Sequence, residues 1–298
     1  MRAAFFRCIR EFFYSRDFLE VDTPLRQPVY IPENTIIPLD ADGQYLQTSP
    51  ELCMKRLLAA GCDNIFQICH CFRKAECGRL HLEEFHMLEW YRSGGNYYHL
   101  MDDCENLFRH IFVELQNLQL RQTPDTDRVF FKGVNLQADW QRLTVHEAFV
   151  QFSPVPLHQA LAEDSFDEIL VEYIEPYLGI DSPLFLYDYP LQLGSLARKK
   201  AGEETIAERF ELYMKGVELA NGFSELTDAA EQRLRFQAEI VMIQKRCGRQ
   251  VAMPEKFLAD LDRLGPAAGI ALGLDRLFML AMGYPDISGA VTFAAEDF

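Results

Sequence analysis

A tight hairpin between Arg209 and Asp228 restricts the possible folds of this 298-residue chain more than any other feature. Two strand-like segments, RFELYM and VELANGFSEL, are separated only by Lys215 and Gly216. A two-residue loop joins antiparallel neighbours, whereas parallel strands need a crossover of about a dozen residues. The hairpin therefore predicts an antiparallel sheet. Counting outward from its turn places Glu211 opposite Ala220.

Two glutamates of the hairpin are candidates for a metal site. Side-chain alternation puts Glu211 and Glu218 diagonally on one sheet face, roughly 7 Å or less apart. Carboxylates at that distance repel unless a cation lies between them. Mg²⁺ suits such a pair, because it is usually held by one or two carboxylates together with substrate phosphates. The alternative is a solvated sheet face with both glutamates in water.

The second strand of the hairpin carries a possible amine-binding set, Asn221, Phe223 and Glu225. In a regular strand these three side chains would point away from Glu218. A β-bulge at Asn221–Gly222 would turn them back toward the glutamate pair. An amide, an aromatic wall and a carboxylate together suit an amino group on an aliphatic stem. Alternatively, Asn221–Gly222 is a plain type I′ turn.

Periodic patterns elsewhere indicate both helices and strands. Phe5, Ile9 and Phe12 recur at helical spacing, and Ser49 is expected to cap a second helix that begins at Pro50. Strands are predicted over residues 18–24, 65–74, 85–92, 185–190 and 269–273. Further helices are predicted over residues 99–118, 228–248 and 274–283.

This order of elements predicts an α+β fold, an antiparallel β-sheet flanked by helices, because it lacks the regular alternation of a doubly wound fold. Neither the P-loop nor the G-x-G-x-x-G pattern is present, so a nucleotide would not be held by either glycine loop. We expect one domain over residues 1–298, with an insertion around residues 121–185.

Composition excludes several classes of function. A formal net charge of −16 disfavours stable nucleic-acid binding, since proteins with many phosphate contacts are normally basic. No apolar run approaches the ~20 residues of a membrane helix, and the first residues do not form a signal peptide. We therefore expect a cytoplasmic protein without a membrane partner.

The segment CHCFRKAECGRLHLEEFH contains potential zinc ligands, but its spacings fit poorly apart from His81 and His86. The simpler interpretation is that Cys69 and Cys71 are small buried residues on one face of a strand. Without a secretion signal, free thiols are the default state.

Four basic side chains could receive a phosphate chain. Arg73 ends a predicted strand, and Arg79 and His81 follow in the adjoining loop. Arg276 comes just after Gly273 at a strand-to-helix junction, where the backbone can approach a flat ligand closely. Taken singly, each of these arginines is more often a surface salt-bridge partner than a ligand.

Three segments, in order, resemble the signature motifs of class II aminoacyl-tRNA synthetases: FLEVDTP, FRKAECGRLHLEEFHMLEWY and GIALGLDRL. TSPE, MLEWY, RFELY and VELANGFSEL are similar to the lysyl subgroup of that class. The chain starts in the helix before the first motif, so no anticodon-binding domain is expected. Such a catalytic core resembles the elongation factor P–(R)-β-lysine ligase family, a lysyl-tRNA synthetase paralogue.

The resemblance implies ATP-dependent adenylation of (R)-β-lysine or lysine and its transfer to a lysine ε-amine of elongation factor P, by a homodimer that uses ATP and Mg²⁺. It implies Arg73 and Arg276 as catalytic residues and Glu211 and Glu218 as metal ligands. The implied ATP-binding residues are Arg73, Ala75, Glu76, His81, Phe85, Glu218, Leu219, Gly273 and Arg276. The implied substrate-binding residues are Ser49, Pro50, Glu51, Glu89, Tyr91, Asn221, Phe223, Glu225 and Ala271.

Three positions differ from the patterns of these families. Ala75 stands where the second motif has glutamate, and Glu83 stands where proline is common. Ala271 occupies a position that is usually glycine in lysyl-tRNA synthetases and alanine in the ligases, so its methyl group is expected to favour β-lysine. Two alternatives remain: an enzyme that activates α-lysine, and an inactive paralogue that binds an adenylate. No residue stands out as a base for the transfer step.

Overall fold

The computed structural model describes residues 1–122, 129–294 and 297. Its helices are α1 (Arg2–Tyr14), α2 (Glu51–Ala59), α3 (Tyr97–Gln122), α4 (Val145–Phe152), α5 (Leu157–Ala162), α6 (Phe166–Ile169), α7 (Ala229–Cys247), α8 (Glu255–Leu261) and α9 (Leu274–Met282). Its strands are β1 (Leu19–Glu20), β2 (Arg26–Gln27), β3 (Tyr45–Leu46), β4 (Asn64–Phe72), β5 (Glu84–Ser93), β6 (Gln141–Thr144), β7 (Leu184–Pro190), β8 (Ile206–Met214), β9 (Val217–Ser224) and β10 (Ala267–Gly273). Short turns of 3₁₀ or π helix lie at Leu170–Ile174, Glu175–Tyr177, Leu191–Leu193 and Ile287–Ala290.

One large sheet organises the described part of the chain. Its strand order is β1-β4-β5-β10-β9-β8-β7-β6, and β2 and β3 form a separate pair. In this order, each strand from β4 through β5, β10, β9 and β8 to β7 is antiparallel to its neighbour. The edge strands β1 and β6 pair in parallel with β4 and β7 respectively. The predicted α+β class is confirmed, with a mixed sheet whose antiparallel centre carries the hairpin.

The hairpin turns at Lys215 and Gly216, whose φ angles of 55° and 70° are those of a two-residue hairpin turn. Beyond the turn, the register shifts because Leu219 is an extra residue, so that Glu211 pairs with Asn221. The expected pairing of Glu211 with Ala220 is therefore wrong.

The predicted bulge at Asn221–Gly222 is also wrong, since these two residues pair regularly with both neighbouring strands. The bulge at Leu219 has the effect that was predicted for a bulge at Asn221–Gly222. It changes the side-chain parity, so that Glu218 before it and Asn221 after it face the same side. Gly222 instead permits close packing, because a Cβ there would lie 2.7 Å from the ring of Phe210.

Helices α1 and α3 cover one face of the sheet and bury its largest apolar side chains. The ring of Phe13 stacks on Phe66 at 4.7 Å, and Trp90 is fully buried in the same cluster. The predicted helical face of α1 is confirmed, since Phe5, Ile9 and Phe12 are all buried. On the opposite sheet face, residues of β5, β9 and β10 form the floor of a cavity.

The expected insertion around residues 121–185 includes residues 123–128, which lie outside the described residues. The remainder contributes strand β6 to the sheet edge and helices α4 to α6 over it, and these helices share one apolar cluster with β7 and Tyr213. None of the described helices is both long enough and apolar enough to span a membrane.

Candidate active site

An open cavity of about 290 Å³ lies over the central strands. The strand register builds its floor in rows. Ala271 pairs with both Asn221 and Glu89, so these three residues form one row. Gly269 pairs with both Phe223 and Tyr91, which gives the next row. The three-strand alignment therefore collects residues that are far apart in the sequence.

One end of the cavity is acidic and centres on Glu89. Its carboxylate accepts a hydrogen bond of 2.5 Å from Ser49 Oγ and one of 2.7 Å from Tyr91 OH. Glu89 is 1% exposed, and burial, followed by the nearby charge of Glu51, raises its pKa to about 8. At neutral pH the substrate-free site therefore keeps Glu89 largely protonated, and an arriving ammonium group would favour release of that proton.

At the start of helix α2, the N-cap is Pro50 and not Ser49 as predicted. Helix α2 starts at Glu51 with Pro50 as its N-cap, so the predicted start one residue earlier is wrong. Ser49 Oγ still accepts a 3.0 Å hydrogen bond from the backbone N–H of Glu51. The same hydroxyl thus supports the start of the helix and, through its own proton, the carboxylate of Glu89.

Behind the floor lies a buried ion pair that sequence reasoning missed. Lys55 Nζ is 2.5 Å from Glu51 Oε1 and also contacts Glu225 Oε2. Burial lowers the pKa of Lys55, but the two carboxylates outweigh this and hold it above its ordinary value. The available signal was the four-residue spacing of Glu51 and Lys55 on one helix.

Glu225 lies beneath the floor rather than in the cavity wall. A Cβ on Gly269 would come within 2.6 Å of Glu225 Oε1 and 2.2 Å of the Tyr91 ring. The absence of a side chain at Gly269 thus leaves room for Tyr91 and Glu225 at this point of the floor. Glu225 Oε1 itself has no hydrogen-bond partner among the described residues.

The other end of the cavity carries positive charge. The guanidinium of Arg73 lies 5.3 Å from the centre of the Phe85 ring, and its buried Nε has no hydrogen-bond partner in the described chain. Across the cavity, Arg276 contacts His81 Nε2 at 2.5 Å and donates to the backbone oxygen of Glu218 at 2.8 Å. Arg79 does not line the cavity and instead donates to Pro285 O at 3.4 Å.

The two candidate metal ligands have different environments. Glu218 lines the cavity, and its carboxylate is 3.6 Å from Arg276 Nη1. Glu211 is 6% exposed and accepts hydrogen bonds from Arg209, Tyr189 and Tyr213 at 2.6–2.7 Å. The described residues contain no group of three or more His, Cys, Asp or Glu side chains that could hold a metal. A Mg²⁺ ion here would need substrate oxygens in addition to Glu218.

The cavity wall contains most of the residues singled out in the sequence, together with others that were not. The expected wall residues are Ser49, Glu51, Arg73, Glu76, His81, Phe85, Glu89, Tyr91, Glu218, Leu219, Asn221, Phe223, Ala271, Gly273 and Arg276. Pro50, Ala75, Glu211 and Glu225 lie outside the wall. Cys69 and Cys71 are buried on one strand face, as the simpler interpretation predicted.

Glu33 is an unpredicted acid in the wall. Burial, and secondly the charge of Glu51, raises its pKa to about 7. Its loop is held by Asn34, whose backbone and side-chain nitrogens both donate to Glu239 at 2.8 Å. A contact between residues so distant in sequence leaves no local pattern, so Glu33 could not be found from its own segment.

Comparison with known proteins agrees with this geometry. Residues 1–297 match the family model described as tRNA synthetases class II (D, K and N), and the chain therefore belongs to that family. Within it, the chain is 37% identical to the elongation factor P–(R)-β-lysine ligase of Proteus mirabilis (strain HI4320), over 96% of this chain and 91% of that protein. It is 38% identical to the ligase of the same name from Pectobacterium carotovorum subsp. carotovorum (strain PC1), over 99% of this chain and 94% of that protein. The resemblance to this ligase family is thereby confirmed.

Proposed function

We propose that this protein uses ATP to activate (R)-β-lysine as its adenylate and transfers it to a lysine ε-amine of elongation factor P. The observation that carries the proposal is the polarity of one continuous cavity, with carboxylates around Glu89 at one end and the Arg73–Arg276 pair at the other. A diamino acid places its amines at the first end and its carboxylate toward the phosphates at the second.

Activation in this site depends on positioning and charge neutralisation. The substrate carboxylate attacks the α-phosphorus, and pyrophosphate leaves, without any side-chain nucleophile. Arg73 would contact the α-phosphate and Arg276 the γ-phosphate. Glu218 fits a Mg²⁺ ligand because its carboxylate lines the cavity at the phosphate end, whereas Glu211 would first have to give up an existing hydrogen bond. When bound, Mg²⁺ would neutralise charge on the phosphates.

ATP–pyrophosphate exchange with lysine, (R)-β-lysine and (S)-β-lysine tests the proposal and its two alternatives. We expect the fastest exchange with (R)-β-lysine. Exchange driven best by α-lysine would favour an α-lysine-activating enzyme and overturn the β-lysine assignment. Exchange with none of the three would favour an inactive adenylate-binding paralogue.

The acceptor is tested separately. Incubation with ATP, (R)-β-lysine and purified elongation factor P should add the mass of one β-lysyl group to the factor, and tRNA should remain unmodified. In this step the attacking amine loses a proton, an amide bond forms and AMP leaves. We place the reaction in the cytoplasm, where the translation factor acts. An unmodified factor together with charged tRNA would overturn this acceptor.

The methyl group of Ala271 is predicted to select between the lysine isomers. It lies in the floor row between Asn221 and Glu89, where it would crowd an α-amine. Ala271→Gly should shift the ratio of kcat/KM values toward α-lysine by about tenfold, the effect of one methyl group in a pocket. Ala268→Gly is the matched control, since it removes a methyl group from the same strand on the opposite, helix-covered face. An unchanged ratio in Ala271→Gly would make Ala271 a packing residue only.

A homodimer is also proposed, from the resemblance of residues 18–24 to the interface strand of class II synthetases. Leu19 and Leu25 at this segment are 57% and 40% exposed, so an apolar partner surface would cover them. Light scattering should give twice the chain mass of 34.4 kDa. A monomer at micromolar concentration would contradict the prediction.

A further inference from the structure

A strained turn connects strand β4 to the phosphate end of the cavity. Ala75 has a φ angle of 65°, in the left-handed region that side chains with a Cβ disfavour. The residue is exposed, and its own methyl group lies outside the cavity wall. Since the side chain of Ala75 does not line the cavity, contact with a ligand does not explain its backbone conformation.

Glu83 holds this turn from the far side of the loop. Its side-chain Oε1 accepts a hydrogen bond of 2.6 Å from the backbone N–H of Ala75. Its backbone oxygen accepts a second hydrogen bond, of 2.9 Å, from the N–H of Arg73. One residue therefore fixes both Arg73 and Ala75, and the two positions that differ from the second motif, 75 and 83, are in direct contact.

The turn determines where two wall residues lie. Arg73 and Glu76 flank it, both line the cavity, and their charged groups are 3.9 Å apart. Between them, the N–H of Lys74 donates to Ile37 O at 2.7 Å, which ties the turn to the loop that carries Glu33. A different φ angle at Ala75 would redirect the chain between Arg73 and Glu76.

We propose that Glu83 is a positioning residue for the nucleotide: by holding Ala75 in the left-handed conformation, it presents Arg73 and Glu76 to ATP. This inference rests on the proposed function, because it assigns ATP to the Arg73 end of the cavity. Glu83 acts through the backbone and does not itself touch the nucleotide. Position 75 thus lacks the carboxylate of the second motif, and the carboxylate of Glu83 instead orders the loop.

The test compares ATP dissociation constants measured by calorimetry with a non-hydrolysable ATP analogue. Glu83→Ala should weaken binding about tenfold, the loss of one charge-assisted hydrogen bond that orders the turn. Glu83→Gln keeps an acceptor oxygen and should stay within about threefold of the wild type. Adding Ala75→Gly to Glu83→Ala should restore binding to within about threefold, because glycine adopts a positive φ angle without strain.

Glu84→Ala is the control, because it removes the neighbouring carboxylate, which faces His70 instead of the turn. It should leave the dissociation constant within about twofold, as expected of an exposed charge. The KM for the amino acid at saturating ATP should likewise be unchanged in Glu83→Ala. In the nucleotide-free protein, the Ala75 amide should exchange its hydrogen faster in Glu83→Ala.

Two results would overturn the inference. One is an analogue affinity in Glu83→Ala equal to that of the wild type. The other is a double variant that binds no better than Glu83→Ala although its thermal unfolding midpoint matches the wild type. Failure of the ATP assignment, on which this inference rests, gives a different result: the wild type itself would not bind the analogue, while the Ala75 amide would still respond to Glu83→Ala.

Discussion

Arg73→Ala is expected to lower kcat/KM for ATP–pyrophosphate exchange about a thousandfold, the effect of removing a donor that stabilises charge in the transition state. The reason lies in the surroundings of the Arg73 side chain in the substrate-free protein. Its Nε is buried and has no hydrogen-bond partner in the described chain, and its nearest carboxylate, Glu76, is 3.9 Å away. A guanidinium whose buried Nε donor is unused is poised to receive an anion.

Arg73→Lys should recover little of this loss. Lysine supplies a compact charge but not the planar set of donors that binds two phosphate oxygens at once, nor the same stacking on Phe85. Arg79→Ala is the matched control from the same loop, because Arg79 faces Pro285 and not the cavity. It should change kcat/KM less than about threefold, as expected of an exposed side chain. Equal losses in Arg73→Ala and Arg79→Ala would contradict the assignment of Arg73 to the phosphate end.

Local sequence patterns predicted those elements of the fold whose conformation depends mainly on residues close to one another in the sequence. The turn at Lys215–Gly216 predicted the hairpin, and helical spacing predicted α1 with its buried Phe5 and Phe12. A bulge in β9 was predicted correctly, but at Asn221–Gly222 and not at Leu219, where it occurs. The dipeptide Asn221–Gly222 looks like a turn signal, whereas Gly222 is required by the ring of Phe210 on a neighbouring strand.

The residues of the site likewise divide into those that local motifs predict and those whose orientation depends on tertiary contacts. The motifs predicted which residues belong to the cavity, but they did not predict which carboxylates face it. Glu211 turns its carboxylate to Arg209 on the same strand and to Tyr189 on β7, and Glu225 turns its carboxylate to Lys55 on α2. Glu33 enters the wall only through a long-range contact of its loop. Partners brought together by tertiary packing leave no periodic signal in one sequence, so these contacts could not be predicted from it.

Amino-acid binding is expected to strengthen with pH and to release a proton, because of Glu89. Burial raises the pKa of this carboxyl to about 8 in the substrate-free protein, so it is mostly protonated at pH 7. An ammonium group prefers the ionised form, and binding therefore expels the proton. Affinity should rise about tenfold per pH unit below pH 8 and level off above it. Calorimetry in two buffers of different ionisation enthalpy measures the released proton directly.

Two variants separate this explanation from a general pH effect. Glu89→Gln should weaken amino-acid binding about a hundredfold at pH 8, remove the proton release and flatten the pH profile. Tyr91→Phe removes a hydrogen bond that lowers the pKa of Glu89, so its profile should shift to higher pH without becoming flat. A pH profile that is unchanged in Glu89→Gln would show that another group binds the proton.

Stability provides an independent measurement of the same group. Glu89 ionises near pH 4 in the unfolded chain, at about its ordinary value, but only near pH 8 in the folded one. Between these values the unfolded state holds fewer protons, so the free energy of unfolding of the substrate-free wild type falls as pH rises. Glu89→Gln lacks this titration and should therefore unfold at a higher temperature than the wild type at pH 8, with the difference vanishing toward pH 4. The substrate-free protein is thus less stable at pH 8 because it keeps a buried carboxyl group available for an amine. A Glu89→Gln variant whose unfolding temperature equals that of the wild type at both pH 4 and pH 8 would refute this.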